Sequence, residues 1–181
     1  MGPFALIPFM ECRHSVFSMW QRVNGKLIIN RQAYVFRNAI GYWEGDRGRS
    51  FPKEYLWTQC SFEDGAIMLS VADIPLMGLH FTGIIGVVLW KGKEYRFATY
   101  LGGRVILLQK GVVRIAQGNM ELEARLLKSD HKALKAPTDG SMIRTIHESV
   151  TCQAYYKFQK QGGTFFEFET DKASFEYEYH R

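Results

Sequence analysis

Two carboxyl groups stand close together in an aromatic-rich stretch of the chain, residues 42–60. Glu44 and Asp46 are separated by one glycine, and Trp43 and Trp57, half of the four tryptophans, lie in the same stretch. A carboxyl group buried among apolar rings keeps its proton near neutral pH, so it can act as a general acid. The alternative is an exposed turn in which Asp46 pairs with a nearby arginine. The residue types alone leave both interpretations open.

Two histidines are further candidates for proton transfer. His14 lies in a β-prone segment, residues 13–23, and His147 is followed by Glu148. An imidazole changes charge near neutral pH and also binds metals, but neither histidine belongs to an HxH or HExxH pattern. A hydrogen-bonded structural histidine is the alternative at both positions. We therefore expect no metal site and no cofactor.

Aromatic side chains next to the carboxyl pair offer walls for a small-molecule pocket. Trp43, Tyr55 and Trp57 present π faces that suit an apolar ligand or a carbocation, although aromatic residues in strands more often belong to the core. Strand alternation places Tyr55, Trp57 and Gln59 on one face of the same segment. The Gln59 amide and the rings of Tyr55 and Trp57 would then line the same space.

The elements that must position these side chains are β-strands. Nearly every segment alternates with period two, and no window of twelve or more residues has a helical period. About twelve short strands with regularly spaced turns predict a single domain over residues 1–181, either a barrel or a sandwich. Asn24-Gly25 predicts a tight hairpin turn, and residues 128–142 are expected to form a loop.

Composition excludes several functional classes. The 181 residues are 46% hydrophobic and 14% aromatic, which is typical of a globular protein with a sizeable core. The formal charge of +5 includes no run of five basic residues, so no nucleic-acid partner is expected. The longest apolar run, residues 81–90, is too short for a transmembrane helix, so no stable membrane insertion is expected. Three widely spaced cysteines favour a reducing, cytoplasmic location.

One stretch carries a family resemblance. The sequence EGDRGRSFP at residues 44–52, followed by WTQ at 57–59, resembles the signature of the tocopherol cyclase family. In that family an acidic segment precedes a Gly-x-Ser-Phe-Pro step and a Trp-x-Gln strand. His14-Ser15, APT at 136–138 and ASFEY at 173–177 add to the similarity, the last resembling the ending of bacterial members. Arg47 stands where the plant enzymes have an aromatic residue.

The resemblance implies an antiparallel lipocalin-like β-barrel of about ten to twelve strands with little or no helix. It also implies a cofactor-free isomerase reaction, in which an acid protonates the alkene of a prenylated quinol and the phenol oxygen captures the cation. The residues expected to be catalytic are Glu44, Asp46 and His14. Those expected to contact this hydrophobic small molecule are Trp43, Tyr55, Trp57, Gln59, Arg47 and His147.

Other functions are compatible with the same residues. Members of the family are longer, so the chain is expected to correspond to their C-terminal part, and a missing N-terminal half or a second copy could complete the site. A non-catalytic lipocalin-like carrier and a structural domain of a larger protein are the alternatives. A pocket faced by a carboxyl group favours the enzyme, a pocket without one favours the carrier, and a filled barrel favours the structural domain.

Overall fold

The computed structural model describes residues 2–6, 10–76 and 78–179. These residues form two short 3₁₀ helices, Gly2–Leu6 and Thr99–Leu101, and twelve strands. The strands are β1 (Cys12–Ile29), β2 (Gln32–Gly48), β3 (Tyr55–Phe62), β4 (Gly65–Leu76), β5 (Leu79–Trp90), β6 (Lys93–Ala98), β7 (Arg104–Gln109), β8 (Val112–Gln117), β9 (Met120–Lys128), β10 (Lys132–Thr138), β11 (Ser141–Lys160) and β12 (Gly163–Tyr177). The prediction of an all-β chain with little helix is confirmed.

Ten strands form one antiparallel sheet in the order β6-β5-β4-β3-β12-β11-β9-β8-β7, with β10 paired to β11 outside this path. Among the described residues no backbone ladder joins the outer strands β6 and β7, so the sheet does not close and the predicted lipocalin-like barrel is not confirmed. A side chain of β8, that of Gln117, links this end of the sheet to β6 instead. The Gln117 amide accepts a hydrogen bond from the Ala98 N–H and donates one to the Arg96 carbonyl, both at 2.9 Å.

The sheet curls around a packed hydrophobic core on one of its faces. On β3, Leu56, Thr58 and Cys60 are completely buried in this core, so the alternating residues Tyr55 and Trp57 belong to the opposite face. Large side chains fill the enclosed space, among them Phe97, Tyr156, Phe158 and Phe175. A ligand would therefore have to bind on the other side of the sheet.

That other side is partly covered by a long β1–β2 hairpin, which forms a separate two-stranded sheet. The predicted turn at Asn24-Gly25 is wrong. Asn24 lies within β1, at a shift in register, and its side chain accepts a hydrogen bond from the Asn38 N–H at 2.8 Å. The chain reverses at Asn30 and Arg31, whose positive φ angles of 50° and 67° suit a two-residue hairpin turn.

The predicted loop at residues 128–142 is also wrong, because it contains β10. Among the residues that the structure describes, this strand pairs with β11 alone, with Leu134 opposite Ile146. Pro137 cannot donate a hydrogen bond to a neighbouring strand, but a strand with one free edge tolerates it. The proline and the flanking Asp-Gly turn thus obscured a strand that brings Leu134 to the candidate site.

A buried hydrogen bond in the core gives a first prediction. The Tyr156 hydroxyl lies 2.5 Å from Thr58 Oγ1, which itself donates to the Ser174 carbonyl at 2.9 Å. We expect Tyr156→Phe to lower the free energy of unfolding by about 1 kcal/mol, because Thr58 retains its second partner. Urea unfolding measures the change. The matched control is Tyr155→Phe, which loses an exposed bond to Glu167 and should be neutral; equal losses in both variants would contradict the prediction.

Candidate functional site

A cavity of about 300 Å³ lies between the base of the β1–β2 hairpin and the face of the sheet opposite the core. Its walls are mostly apolar, but four carboxyl groups and one histidine also face it. The lining residues are Met10, Cys12, His14, Glu44, Asp46, Phe51, Pro52, Tyr55, Trp57, Ser70, Ala72, Ile74, Phe81, Gly83, Ile85, Leu134, Lys135, Ile146, Glu148 and Glu176. A small apolar cavity with a few convergent polar groups is typical of a ligand site.

One row of residues across the sheet forms the floor of the cavity. Glu148 of β11 lies opposite Glu176 of β12, which lies opposite Trp57 of β3. The row continues through Ser70 of β4 to Ile85 of β5. Directly paired residues share one face of a sheet, so the strand register alone sets two carboxyl groups beside an indole ring.

The hairpin contributes an imidazole held between two carboxylates. His14 lies opposite Asp46 in the β1–β2 register, with His14 Nδ1 3.0 Å from Asp46 Oδ1. Its Nε2 lies 3.1 Å from Glu44 Oε2, an ion-pair distance without the angle of a hydrogen bond. Burial acts to lower the pKa of His14, but the two carboxylates outweigh it and raise that pKa to about 9. His14 is therefore an imidazolium at neutral pH.

Glu44 is the most heavily contacted carboxylate of the hairpin. Its Oε2 accepts a hydrogen bond of 2.5 Å from the Tyr42 hydroxyl and one of 3.2 Å from Trp57 Nε1. With the His14 imidazolium beside it, three groups converge on one oxygen. These contacts fix the position of the carboxyl group and direct one of its oxygens at the imidazole and indole rings. Glu44 is thus equipped to accept a proton or to stabilise a cation.

Glu176 has the opposite character. Its carboxyl group is buried, and its Oε1 accepts a hydrogen bond from the hydroxyl of Tyr55. Burial raises the pKa of Glu176 to about 7; the Tyr55 hydrogen bond opposes this shift, and the Glu148 carboxylate adds to it. Burial and the Glu44 carboxylate likewise raise the pKa of Glu148. A substantial fraction of Glu176 is therefore protonated at neutral pH.

The structure brings together five of the nine residues expected at the site. Glu44, Asp46, His14, Tyr55 and Trp57 all line the cavity. His14 is distant from the other four in sequence, and the hairpin register places it there. Tyr42, two residues before Glu44 on β2, shares its strand face and contacts it.

The other four expected residues lie outside the walls of the cavity. Trp43 is 58% exposed and packs on Phe17, with ring centroids 5.0 Å apart. Arg47 is exposed on β2. The buried Gln59 amide donates a hydrogen bond to Ser61 Oγ at 3.1 Å. His147 lies on the exposed side of β11, next to Glu178.

Sequence reasoning gave no site role to Glu176, Tyr42 or Cys12, and it considered Glu148 only as the neighbour of His147. The strict alternation of Glu176 with Phe175 and Tyr177 is typical of a strand whose polar face meets water. Here that polar face is covered by the hairpin and becomes the floor of the cavity. A register alignment of the last strand with the one carrying Trp57 is the only signal that could have found Glu176 beforehand.

Comparison with known proteins gives one finding. The chain is similar to a plant tocopherol cyclase. Over 109 residues it is 27% identical to a protein from Oryza sativa subsp. japonica described as a probable tocopherol cyclase, chloroplastic. The match covers 56% of this chain and 23% of the rice protein. No protein-family model and no solved structure matches the chain.

Two further properties concern the described residues only. None of the helices in residues 2–6, 10–76 and 78–179 is long and apolar enough to cross a membrane. Within the same residues, no group of three or more His, Cys, Asp and Glu side chains is arranged to hold a metal ion.

Proposed function

We propose that the cavity binds a hydrophobic small molecule with a phenolic head and a prenyl chain, and that it catalyses proton-initiated ring closure. The observation that carries the proposal is a buried, partly protonated carboxyl group, Glu176, in an apolar cavity opposite the ionised pair of Glu44 and His14. When the surroundings keep one carboxyl group protonated and another ionised, the two can serve as acid and base. The similarity to the rice protein supports the reaction class.

In the first step Glu176 acts as the acid. The Tyr55 hydroxyl occupies Oε1, which leaves Oε2 to carry the proton. This proton moves to the less substituted carbon of the trisubstituted alkene, and the π electrons form the new C–H bond. A tertiary carbocation and the Glu176 carboxylate result. The facing Trp57 ring and the ionised carboxylates stabilise the cation.

In the second step the phenol oxygen closes the ring. A lone pair of this oxygen forms the C–O bond to the cationic carbon, and the Glu44 carboxylate takes the phenol proton. The reaction is an isomerisation, because the substrate gains one proton and loses one. Glu44 and Glu176 regain their starting protonation states by exchange with water. The His14 imidazolium keeps Glu44 in place through both steps.

The size of the cavity bears on the substrate. A volume of about 300 Å³ is at the lower end for ligand pockets. It accommodates a single aromatic head with the first prenyl unit, where the ring closes. The remainder of a longer prenyl chain would extend out of the cavity mouth. We therefore expect the head group, rather than the chain length, to determine affinity.

Filling the cavity tests the binding part of the proposal. Ala72 lines the cavity and is nearly buried, so Ala72→Phe places a ring where the ligand head would lie. We expect this variant to bind a short-chain prenylated hydroquinone at least about tenfold more weakly, since the added ring removes contact area. Quenching of tryptophan fluorescence measures the affinity. Ala133→Phe, at an exposed position of β10, is the control and should bind normally.

The whole chain incubated with the same hydroquinone tests the chemistry. Cyclised product, identified by chromatography and mass spectrometry, is the expected result. If the parent chain binds the hydroquinone without forming product, and Ala72→Phe does not bind it, the hydrophobic carrier is supported instead. Equal binding by Ala72→Phe and Ala133→Phe would contradict this cavity as the site.

A further inference from the structure

The distal half of the β1–β2 hairpin stands away from the sheet with both faces open. All fifteen residues of the segment 24–38 are exposed. The hairpin forms a two-stranded sheet of its own, so the outer backbone edges of this segment also lack a neighbouring strand among the described residues. An extended ribbon of this kind has no stabilising core of its own.

Apolar side chains cover both faces of this segment. Leu27 lies opposite Tyr34, and Ile28 lies opposite Ala33. Because successive strand residues point to opposite faces, these two pairs belong to different faces. Six large apolar side chains of the segment are at least 37% exposed: Leu27, Ile28, Ile29, Tyr34, Val35 and Phe36. Such a concentration of exposed apolar surface marks an interaction site.

The part of the hairpin beyond its carboxyl-bearing base carries charge of a single sign. Residues 12–43 contain five basic residues and no acidic residue. These five equal the entire formal excess of the chain, +5, so the rest of the sequence is balanced. Lys26, Arg31 and Arg37 belong to the exposed segment, and all three are exposed.

We propose that segment 24–38 docks on the surface of an anionic lipid bilayer. The apolar side chains would enter the boundary between head groups and acyl chains, while the long basic side chains reach back to the lipid phosphates. The open backbone edges limit the depth, because unpaired N–H and C=O groups are not tolerated in the hydrocarbon interior. The result is peripheral binding, and it does not depend on the chemistry of the cavity.

The charge pattern favours a bilayer over two other partners. A second copy would bring an equally basic hairpin against the first, and like charges repel. A nucleic acid would attract Lys26, Arg31 and Arg37 but would give six large aliphatic and aromatic side chains little to contact. Anionic lipid satisfies both the charge and the apolar surface.

Vesicle flotation with the whole chain tests the proposal. We expect the protein to float with vesicles of phosphatidylcholine and phosphatidylglycerol and to remain behind with phosphatidylcholine alone. Added salt should weaken the binding, because exposed charges are screened. Lys26→Gln, Arg31→Gln and Arg37→Gln together should reduce partitioning on the order of a hundredfold.

Two control variants show whether the location of the basic and apolar side chains matters, or only their number. Lys93→Gln, Lys110→Gln and Lys128→Gln together remove the same charge from exposed positions outside the hairpin and should leave most of the binding intact. Ile28→Ser with Val35→Ser should weaken binding, whereas Ile106→Ser with Leu127→Ser, at exposed positions of the large sheet, should not. Circular dichroism confirms that each variant is folded.

Four results would overturn the proposal. The first is a protein that ignores anionic vesicles, and the second is equal loss of binding in the two triple charge variants. The third is retention of the parent chain on a duplex nucleic acid, unchanged in Ile28→Ser with Val35→Ser, while the parent chain binds no anionic vesicles; this would assign the basic surface to nucleic acid. A hairpin-dependent dimer that excludes vesicles would likewise replace the lipid by a second copy.

Discussion

Glu176→Gln is expected to reduce the rate of ring closure by about a thousandfold while leaving ligand affinity nearly unchanged. The amide has almost the shape of the carboxylic acid and can still accept the Tyr55 hydrogen bond, but it has no acidic proton to transfer to the alkene. General acids typically contribute between about 10² and 10⁴ in rate, and a thousandfold loss corresponds to about 4 kcal/mol of activation free energy. Single-turnover product formation and fluorescence titration measure the two quantities separately.

A control on the same strand distinguishes this effect from a general loss of charge. Glu169 lies on β12 and is exposed, so Glu169→Gln should turn over at the parent rate. A Glu176→Gln variant with full activity would exclude Glu176 as the acid and return that role to Glu44 or Asp46, to be separated by Glu44→Gln and Asp46→Asn. Absence of product from the parent chain would instead reject the reaction itself.

Most strands could be predicted from the sequence because the residue patterns that indicate them are local. Alternation of apolar and polar residues, with turns such as Glu63-Asp64 and Lys91-Gly92, places most strands correctly. The errors occur where tertiary pairing overrides a local signal. Asn24-Gly25 has the composition of a turn, yet the Asn24 side chain stabilises an irregularity inside a strand by bonding to Asn38. Closure of the sheet depends on distant edges, and no local pattern reports on it.

The hairpin half of the site was predictable, but of the sheet half only Tyr55 and Trp57 were predicted. Glu44 and Asp46 were recognised through their aromatic neighbourhood and the family resemblance, and the hairpin adds His14. Glu176 has the appearance of a surface residue because its alternation with aromatic residues is that of a half-exposed strand. Only the hairpin lying over that face converts a solvent-facing carboxyl group into a buried one.

The assignment of inward and outward strand faces also explains where the aromatic residues lie. Sequence alone could not decide which face of each strand points inward, since a shift of one residue exchanges the two faces. In the structure the enclosed face is filled by residues such as Phe97 and Phe158, whereas Trp57 faces the cavity on the opposite side. Trp43 sits on the outer face of the hairpin, so two tryptophans from one motif have different surroundings.

Stability should fall steadily as the pH rises from about 5 to about 9. His14 has an ordinary pKa of 6.5 and a folded pKa of about 9, so its ion pairs stabilise the fold fully below pH 6.5 and are lost as the pH rises through 9. A shift of this size corresponds to about 3 kcal/mol, and screening at the partly exposed Asp46 side chain reduces it to about 2 kcal/mol. Glu176, with a folded pKa of about 7, adds a loss of the same sign between pH 4.5 and 7, because the unfolded chain ionises there first.

Urea unfolding at closely spaced pH values separates the two contributions. His14→Asn should flatten the decline between pH 6.5 and 9 and leave the decline between pH 4.5 and 7, whereas Glu176→Gln should do the reverse. His147→Asn is the control, because that histidine is exposed and does not line the cavity. A stability that rises from pH 5 to 9 would contradict both shifts, and a decline that persists in both variants would place its origin outside the cavity. The imidazolium that stabilises the hairpin base at neutral pH is the same group that holds Glu44 in the proposed site, so His14→Asn should also lower any turnover above pH 7, where the parent chain still keeps this contact.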